Sequence, residues 1–525
     1  MNVSLHPIDF GILLLYTIGI VAHGIWVGKR HKGENDYFLA GRTMTWTFIG
    51  MSLFASNISS TTLIGLAGEA YSTGIAVYNY EWMAAVVLVF FSIFLLPLYL
   101  NSGIYTVPEF LEKRYDSRCR SYFSALTLFL NIFVDTAGTL YAGGLIIRMV
   151  FPDLPLWEAV VSLALLSGIY TAFGGLAAVM FTDMVQAILL LVASVIVTFC
   201  AFEQAGGWSQ IVASTPPDML SLVRPIDDPS VPWLGLITGV PLLGFYFWCT
   251  NQFMTQRVLS AKNIEEGRRG VLFAGLLKLP VLFIMVLPGT AAILIYPELP
   301  KPDLVYPTLL FDLLPTGILG LALAGFLAAL MSQVDSTLNS ASTLLTMDFL
   351  KKYRPQMSSY SLMQAGRIFT LLFMGIAVLW APMIENFDSL FQYLQKILSY
   401  AVTPVVTLFL VGIFWKRANA AGGVFALWIG TFCGVTLFVL NEVFGVISLH
   451  FLYIPPLIFC MTLPALFMGS MRTEKPDAQQ MSLCWDISAF RKETVEMNSL
   501  PWHKNYRILS VILLLLTSIL LMFFW

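Results

Sequence analysis

Charge is scarce in this sequence. Only 11% of its 525 residues are Asp, Glu, Lys or Arg, where a soluble domain carries about 25%. The net charge of −2 singles out no class of partner, and nucleic acid is not expected as one. Cysteine is no more informative. Six are scattered at 119, 200, 249, 433, 460 and 484 without a CxxC pair, so neither a disulfide framework nor a metal cluster is expected. No basic residue precedes the first apolar run, which begins near residue 9, and no cleavage site follows it. A signal peptide is therefore not expected. The HExxH, GxSxG and P-loop patterns are missing, and the five histidines (6, 23, 31, 450 and 503) are dispersed. These absences argue against an enzyme and against an ATP-driven pump.

What the chain has in abundance is apolar length. Hydrophobic residues make up 58%, and the mean hydropathy is +0.78. Runs of 18 or more mostly apolar residues recur from end to end, as in a polytopic helical membrane protein. About fourteen spans are expected, near 9–28, 46–68, 80–100, 122–150, 156–173, 181–203, 233–256, 270–297, 316–345, 366–387, 390–414, 420–442, 449–471 and 508–525. Alternate connections carry most of the 29 basic residues, which puts that face in the cytoplasm and both termini outside. The connections 204–232 and 298–315 read as outer caps, and 472–507 as an inner polar linker. Short connections suggest a bacterial inner membrane.

One stretch breaks the apolar pattern. Residues 54–65 read FASNISSTTLIG, placing Ser56, Asn57, Ser59, Ser60, Thr61 and Thr62 inside an expected span. A second polar interruption, YFWCTNQ at 246–252, falls five core helices later. Serine and threonine in a span commonly bond back to their own helix or join two helices. A dense cluster repeated five helices on is instead the pattern of a transporter built from inverted repeats, with solute and ions bound where two helices break.

The sequence resembles the solute:sodium symporter family over nearly its whole length, and most closely its sodium/sugar cotransporter branch. The stretches that carry the resemblance include DYFLAGR (36–42), ASNIS (55–59), YEWM (80–83), GIYTVPEFLEKRY (103–115), GGLAAVMFTDMVQ (174–186), QRVLSAKN (256–263), LKLPVLFIMVLPG (277–289), LNSASTLLTMDFL (338–350) and FQYLQ (391–395). The resemblance implies an all-α, LeuT-like fold of about fourteen transmembrane helices with a five-plus-five inverted-repeat core. It assigns 9–28 to an extra N-terminal helix, 46–203 to the first repeat, 233–414 to the second and 420–525 to extra C-terminal helices. It also implies sodium-driven import by alternating access.

Carried over residue by residue, the family's sugar site falls on Asn57, Glu81, Lys278 and Gln395. These types suit a sugar or polyol: a carboxylate accepts, an ammonium donates, an amide does both, and an unmatched buried partner costs about 1–3 kcal/mol. Four positions depart from the bacterial galactose pattern. Thr62 stands for an amide, Ala84 for a serine, Gly244 for an asparagine and Phe247 for the tyrosine that closes over the sugar, while Trp248 is retained. The expected solute is thus a neutral monosaccharide, a polyol such as inositol, or a relative.

The family's sodium site maps to the carbonyls of Ala55, Ile58 and Ala329 and the hydroxyl of Ser332, with Gln333 where a second hydroxyl is usual. A second sodium is expected to lie among Asp183, Asp335 and Ser336, or else Asp335 is protonated. Asp135 has no counterpart role in the family, and its expected role is structural bonding. Proton coupling, an uncoupled facilitator and a non-transporting solute sensor are the rival readings. The sequence leaves the oligomeric state open.

Overall fold

The computed structural model describes residues 5–28, 34–387 and 390–525. The chain is helical throughout, with no β-strand among the described residues. The helices that position the site are α1 (Pro7–Gly28), α2 (Trp46–Asn57), α3 (Ser60–Thr73), α4 (Asn79–Phe90), α5 (Ala137–Val150), α6 (Leu156–Gln204), α7 (Trp233–Phe245), α8 (Gln252–Leu259), α9 (Ile264–Leu277), α10 (Leu287–Ile295), α11 (Ile318–Leu344), α12 (Ser359–Trp380), α13 (Leu390–Ala401), α14 (Thr403–Phe414), α15 (Ala420–Phe438), α16 (Ile454–Met471) and α17 (Tyr506–Phe523).

Among the described residues nine helices are long and apolar enough to span a bilayer, or twelve when three bent pairs are each taken as one span. Two further apolar stretches, Pro7–Ile20 in α1 and Leu156–Ser167 in α6, add to these. The spans expected at 156–173 and 181–203 lie in one helical stretch, α6. The bent pairs are α2 with Thr62–Thr73 (54°), α9 with Leu282–Ile295 (44°), and α13 with α14 (54°). The first matches the interruption expected at 54–65.

Helix α11 is the centre of the bundle. Every residue of it from Ala328 to Leu344 is buried, and it packs along α6, α1, α12 and the turn before α5. Its start is held by α1: the Asp9 carboxylate accepts from the backbone N–H groups of Gly317 and Gly320, each at 2.7 Å. The approach is close enough that a Cβ at Gly320 would lie 2.6 Å from the Asp9 backbone. These are orphan donors of a helix start, which a buried carboxylate satisfies. Asp9→Ala is expected to cost about 1–2 kcal/mol, seen as a lower Tm of the purified protein.

Candidate functional site

Two helices give up their internal bonding at the polar stretches. After α2 the chain leaves helical geometry at Ile58 (φ −82°, ψ 76°) and is extended at Ser59 (φ −91°, ψ 177°) before α3 begins. Ser59 caps α3, and the Thr62 hydroxyl donates to the Asn57 carbonyl at 2.6 Å. The carbonyls of Ala55 and Ile58 accept no backbone hydrogen bond across the break among the described residues. The second break follows a wide i→i+5 turn, Tyr246–Thr250, and is extended at Asn251 (φ −63°, ψ 127°), whose side chain caps α8. Such turns mark functional sites in helices. Both breaks are deep in the protein, with Ile58 and Asn251 buried, which is where irregular backbone survives at membrane depth.

A cavity of about 130 Å³ opens between the breaks, lined by Asn57, Thr62, Glu81, Phe247, Trp248 and Gln395 among others. These are six of the seven residues expected to bind solute. The seventh, Lys278, reaches the cavity through Glu81: its Nζ lies 2.5 Å from Glu81 Oε2 and is wholly buried at 0% exposure. Lys278 sits at the 44° bend that follows α9. The Tyr78 hydroxyl donates to the Leu279 carbonyl at 3.0 Å and fixes that bend. The ammonium faces the rings of Trp248 and Phe54, 5.3 and 5.8 Å from their centroids. It does not snorkel to an interface. The pair leaves a charged but net-neutral wall, able to donate and accept toward hydroxyls.

On one side the cavity wall includes an aromatic pair, Tyr80 and Phe391. Phe391 lines both this cavity and a larger one of about 650 Å³ bordered by Asp227, Glu442 and His450. Its ring meets Tyr80 edge-on at 5.3 Å. Towards the face of the basic connections lies a buried polar knot. Ser56, in the cavity wall, is within 3.2–3.4 Å of the hydroxyls of Ser336 and Ser332 and of Asp183 Oδ2. Ser332 donates to Asp183 Oδ1 at 2.5 Å. Arg257, at the end of α8, pairs with Asp183 at 3.2 Å and donates to Ser52 at 2.7 Å and to Ser336.

The ion-site residues fall as follows. Ala55, Ile58, Ala329 and Ser332 lie at or beside the α2 break and the facing stretch of α11, all buried. The register of α11 separates its polar residues. At about 100° per residue, 332 and 336 share a face, 333 turns to one side and 335 to the other. Ser332 and Ser336 join the Asp183 knot, and Gln333 lines the cavity between the breaks. Asp335 is fully buried near Tyr16 of α1, whose hydroxyl accepts from Gln186 at 3.2 Å. Asp183 thus finds its counter-charge in Arg257, a residue whose position beside a basic connection gave no hint of burial. The sequence does not single out Tyr80 or Phe391, which line the cavity, and the expectation for Asp135 is structural bonding. Asp135 carried a signal, a lone carboxylate in an apolar span, and it lines the cavity.

Comparison with known proteins identifies the family and the fold. The sodium:solute symporter family model matches residues 37–430. Sodium/glucose cotransporter 1 of Oryctolagus cuniculus is 33% identical over 94% of this chain and 83% of its own length. Sodium/myo-inositol cotransporter 2 of Homo sapiens is 34% identical over 92% and 79%. Among solved structures, a substrate-bound, outward-open Na+-coupled sialic acid symporter superposes with a TM-score of 0.81 at 23% identity, covering 90% of this chain and 99% of that one. Mhp1, a nucleobase-cation-symport-1 family transporter, superposes with a TM-score of 0.57 at 16% identity, over 85% and 97%. The fold is that of these transporters, and the chain belongs to the sodium:solute symporter family.

Proposed function

We propose that this protein is a sodium-coupled symporter that imports a neutral sugar or polyol by alternating access. The observation that carries the reading is the buried Glu81–Lys278 pair beside a cavity set between two broken helices. The relatives named for glucose and myo-inositol support the solute class. Asn57, Thr62 and Gln395 supply further donors and acceptors, and Phe247 and Trp248 supply apolar faces for a ring. Sodium is carried as co-substrate. The carbonyls of Ala55 and Ile58, freed at the break, are the neutral oxygens a hard monovalent cation prefers. Ala329 and Ser332 complete the set from α11.

In this reading the face with the basic connections is cytoplasmic, both termini lie outside, and the membrane is a bacterial inner membrane. Each sodium moving inward gains about 2.3 kcal/mol per 100 mV. Tenfold solute accumulation requires about 1.4 kcal/mol, so one ion suffices.

Purified protein reconstituted in vesicles tests this. With an inward sodium gradient, labelled myo-inositol or D-glucose is expected to accumulate above its outside concentration. Replacing sodium by choline is expected to abolish accumulation. Uptake that survives in choline and collapses with the pH gradient would show proton coupling. Binding without accumulation would show a sensor.

A further inference from the structure

We infer that Asp135, with Asn57 and Gln333, forms a second solute-contacting wall of the cavity, an acceptor-rich subsite that selects a solute presenting neighbouring hydroxyl groups. This rests on the solute reading above, which already includes Asn57, and adds to it Asp135 and Gln333, neither of which was expected to bind solute. Asp135 stands in the wide turn Leu130–Thr136 that precedes α5. That turn is pinned to α11 on both sides. Asn131 Nδ2 donates to Ser340 Oγ at 2.8 Å, and the hydroxyls of Thr136 and Thr337 pair at 2.7 Å. Thr136 also donates to the Asn131 carbonyl at 2.6 Å, and Thr139 to the Asp135 carbonyl at 2.7 Å. The backbone is thus fixed, and the carboxylate lines the cavity.

No hydrogen bond or ion pair joins that carboxylate to another group among the described residues. The Tyr393 phenol nearby gives its proton to the Phe133 carbonyl at 2.7 Å and so is spent. Two more acceptors on the same cavity lack donors among the described residues: Asn57 Oδ1 and Gln333 Oε1. Gln333 is only 5% exposed. Three acceptors from three elements, without protein donors, call for donors on the occupant. The two oxygens of one carboxyl group can face two adjacent hydroxyls at once.

The test is equilibrium binding of labelled myo-inositol and D-glucose to the purified full chain at saturating sodium. Asp135→Asn and Gln333→Met are compared with wild type, and sodium affinity is measured separately without solute. Asp135→Asn is expected to weaken binding of the preferred sugar or polyol about 10-fold or more, since one acceptor oxygen is replaced by a donor facing the solute's hydroxyls. Gln333→Met is expected to weaken it several-fold, and neither change should move the sodium affinity. If Asp135→Asn does not fold, Gln333→Met gives the same readout on the same wall. Unchanged solute affinity in the folded variants overturns the inference. So does a shift in sodium affinity with solute affinity unchanged, which would make Asp135 part of an ion site. If wild type binds neither probe, the solute reading itself fails and this wall falls with it.

Discussion

Lys278→Met is expected to abolish solute uptake and to lower the Tm sharply. Lys278 Nζ is fully buried against Glu81 at 2.5 Å. Removing one partner of such a pair strands the other charge at a cost of about 3–5 kcal/mol. The same loss at the site corresponds to a fall in uptake of at least about 100-fold. The double substitution Glu81→Gln with Lys278→Met separates the two effects. It removes both charges, so stability should recover most of the way to wild type, because replacing a buried ion pair by neutral groups is commonly close to neutral. Uptake should not recover if, as proposed, the pair recognises the solute's hydroxyls. Thermal unfolding in detergent and vesicle uptake, run side by side, decide the matter. Full uptake in the double variant would show that the pair is only structural.

Arg257→Met is expected to have the second largest effect. Its guanidinium is 1% exposed and Asp183 is 0% exposed. The cation also donates to Ser52 and Ser336, so one side chain ties together α2, α6, α8 and α11. Without it Asp183 is a lone buried charge, again at a cost of about 3–5 kcal/mol. Asp183→Asn added to Arg257→Met should restore much of the Tm. The single variant should also be stabilised more by sodium than wild type is, because a small cation can then take the place of the guanidinium beside Asp183, Ser332 and Ser336. Thermal shifts in sodium against choline measure this directly. A sodium response no larger than that of wild type would show that the knot cannot serve as an ion site.

How much of this was legible in the sequence follows from the kind of signal each residue sends. Asn57 and its hydroxyl neighbours stand out because polar side chains are costly inside a span, and the chain does break there. Lys278 stands out for the same reason, and it proves to be buried and paired. Arg257 sends no such signal. It lies where basic residues gather at the end of a span, and only the short half-helix α8, starting afresh at Asn251, turns it inward. Gln333 and Asp335 show a different limit. Both are polar residues on a buried helix, but their roles depend on a rotation of α11 that composition cannot fix. The structure turns Gln333 to the cavity between the breaks and Asp335 towards α1. Asp135 is visible as an oddity, yet its place in the cavity depends on the wide turn 130–136, which has no sequence signature of its own. The aromatic pair of Tyr80 and Phe391 is invisible for the opposite reason, since 14% of the chain is aromatic and two more rings signal nothing.

The central claim is that cation and hydroxyl-rich solute bind side by side at two helix breaks and therefore strengthen each other. Coupling of that kind is reciprocal: sodium must raise solute affinity by the factor by which solute raises sodium affinity. Binding of labelled myo-inositol and D-glucose to the purified protein, titrated at several sodium concentrations with choline as the replacement, measures it. The account predicts that affinity for at least one of them rises with sodium and that this solute lowers the half-saturating sodium concentration to match. Solute affinity that is the same in sodium and in choline would contradict it.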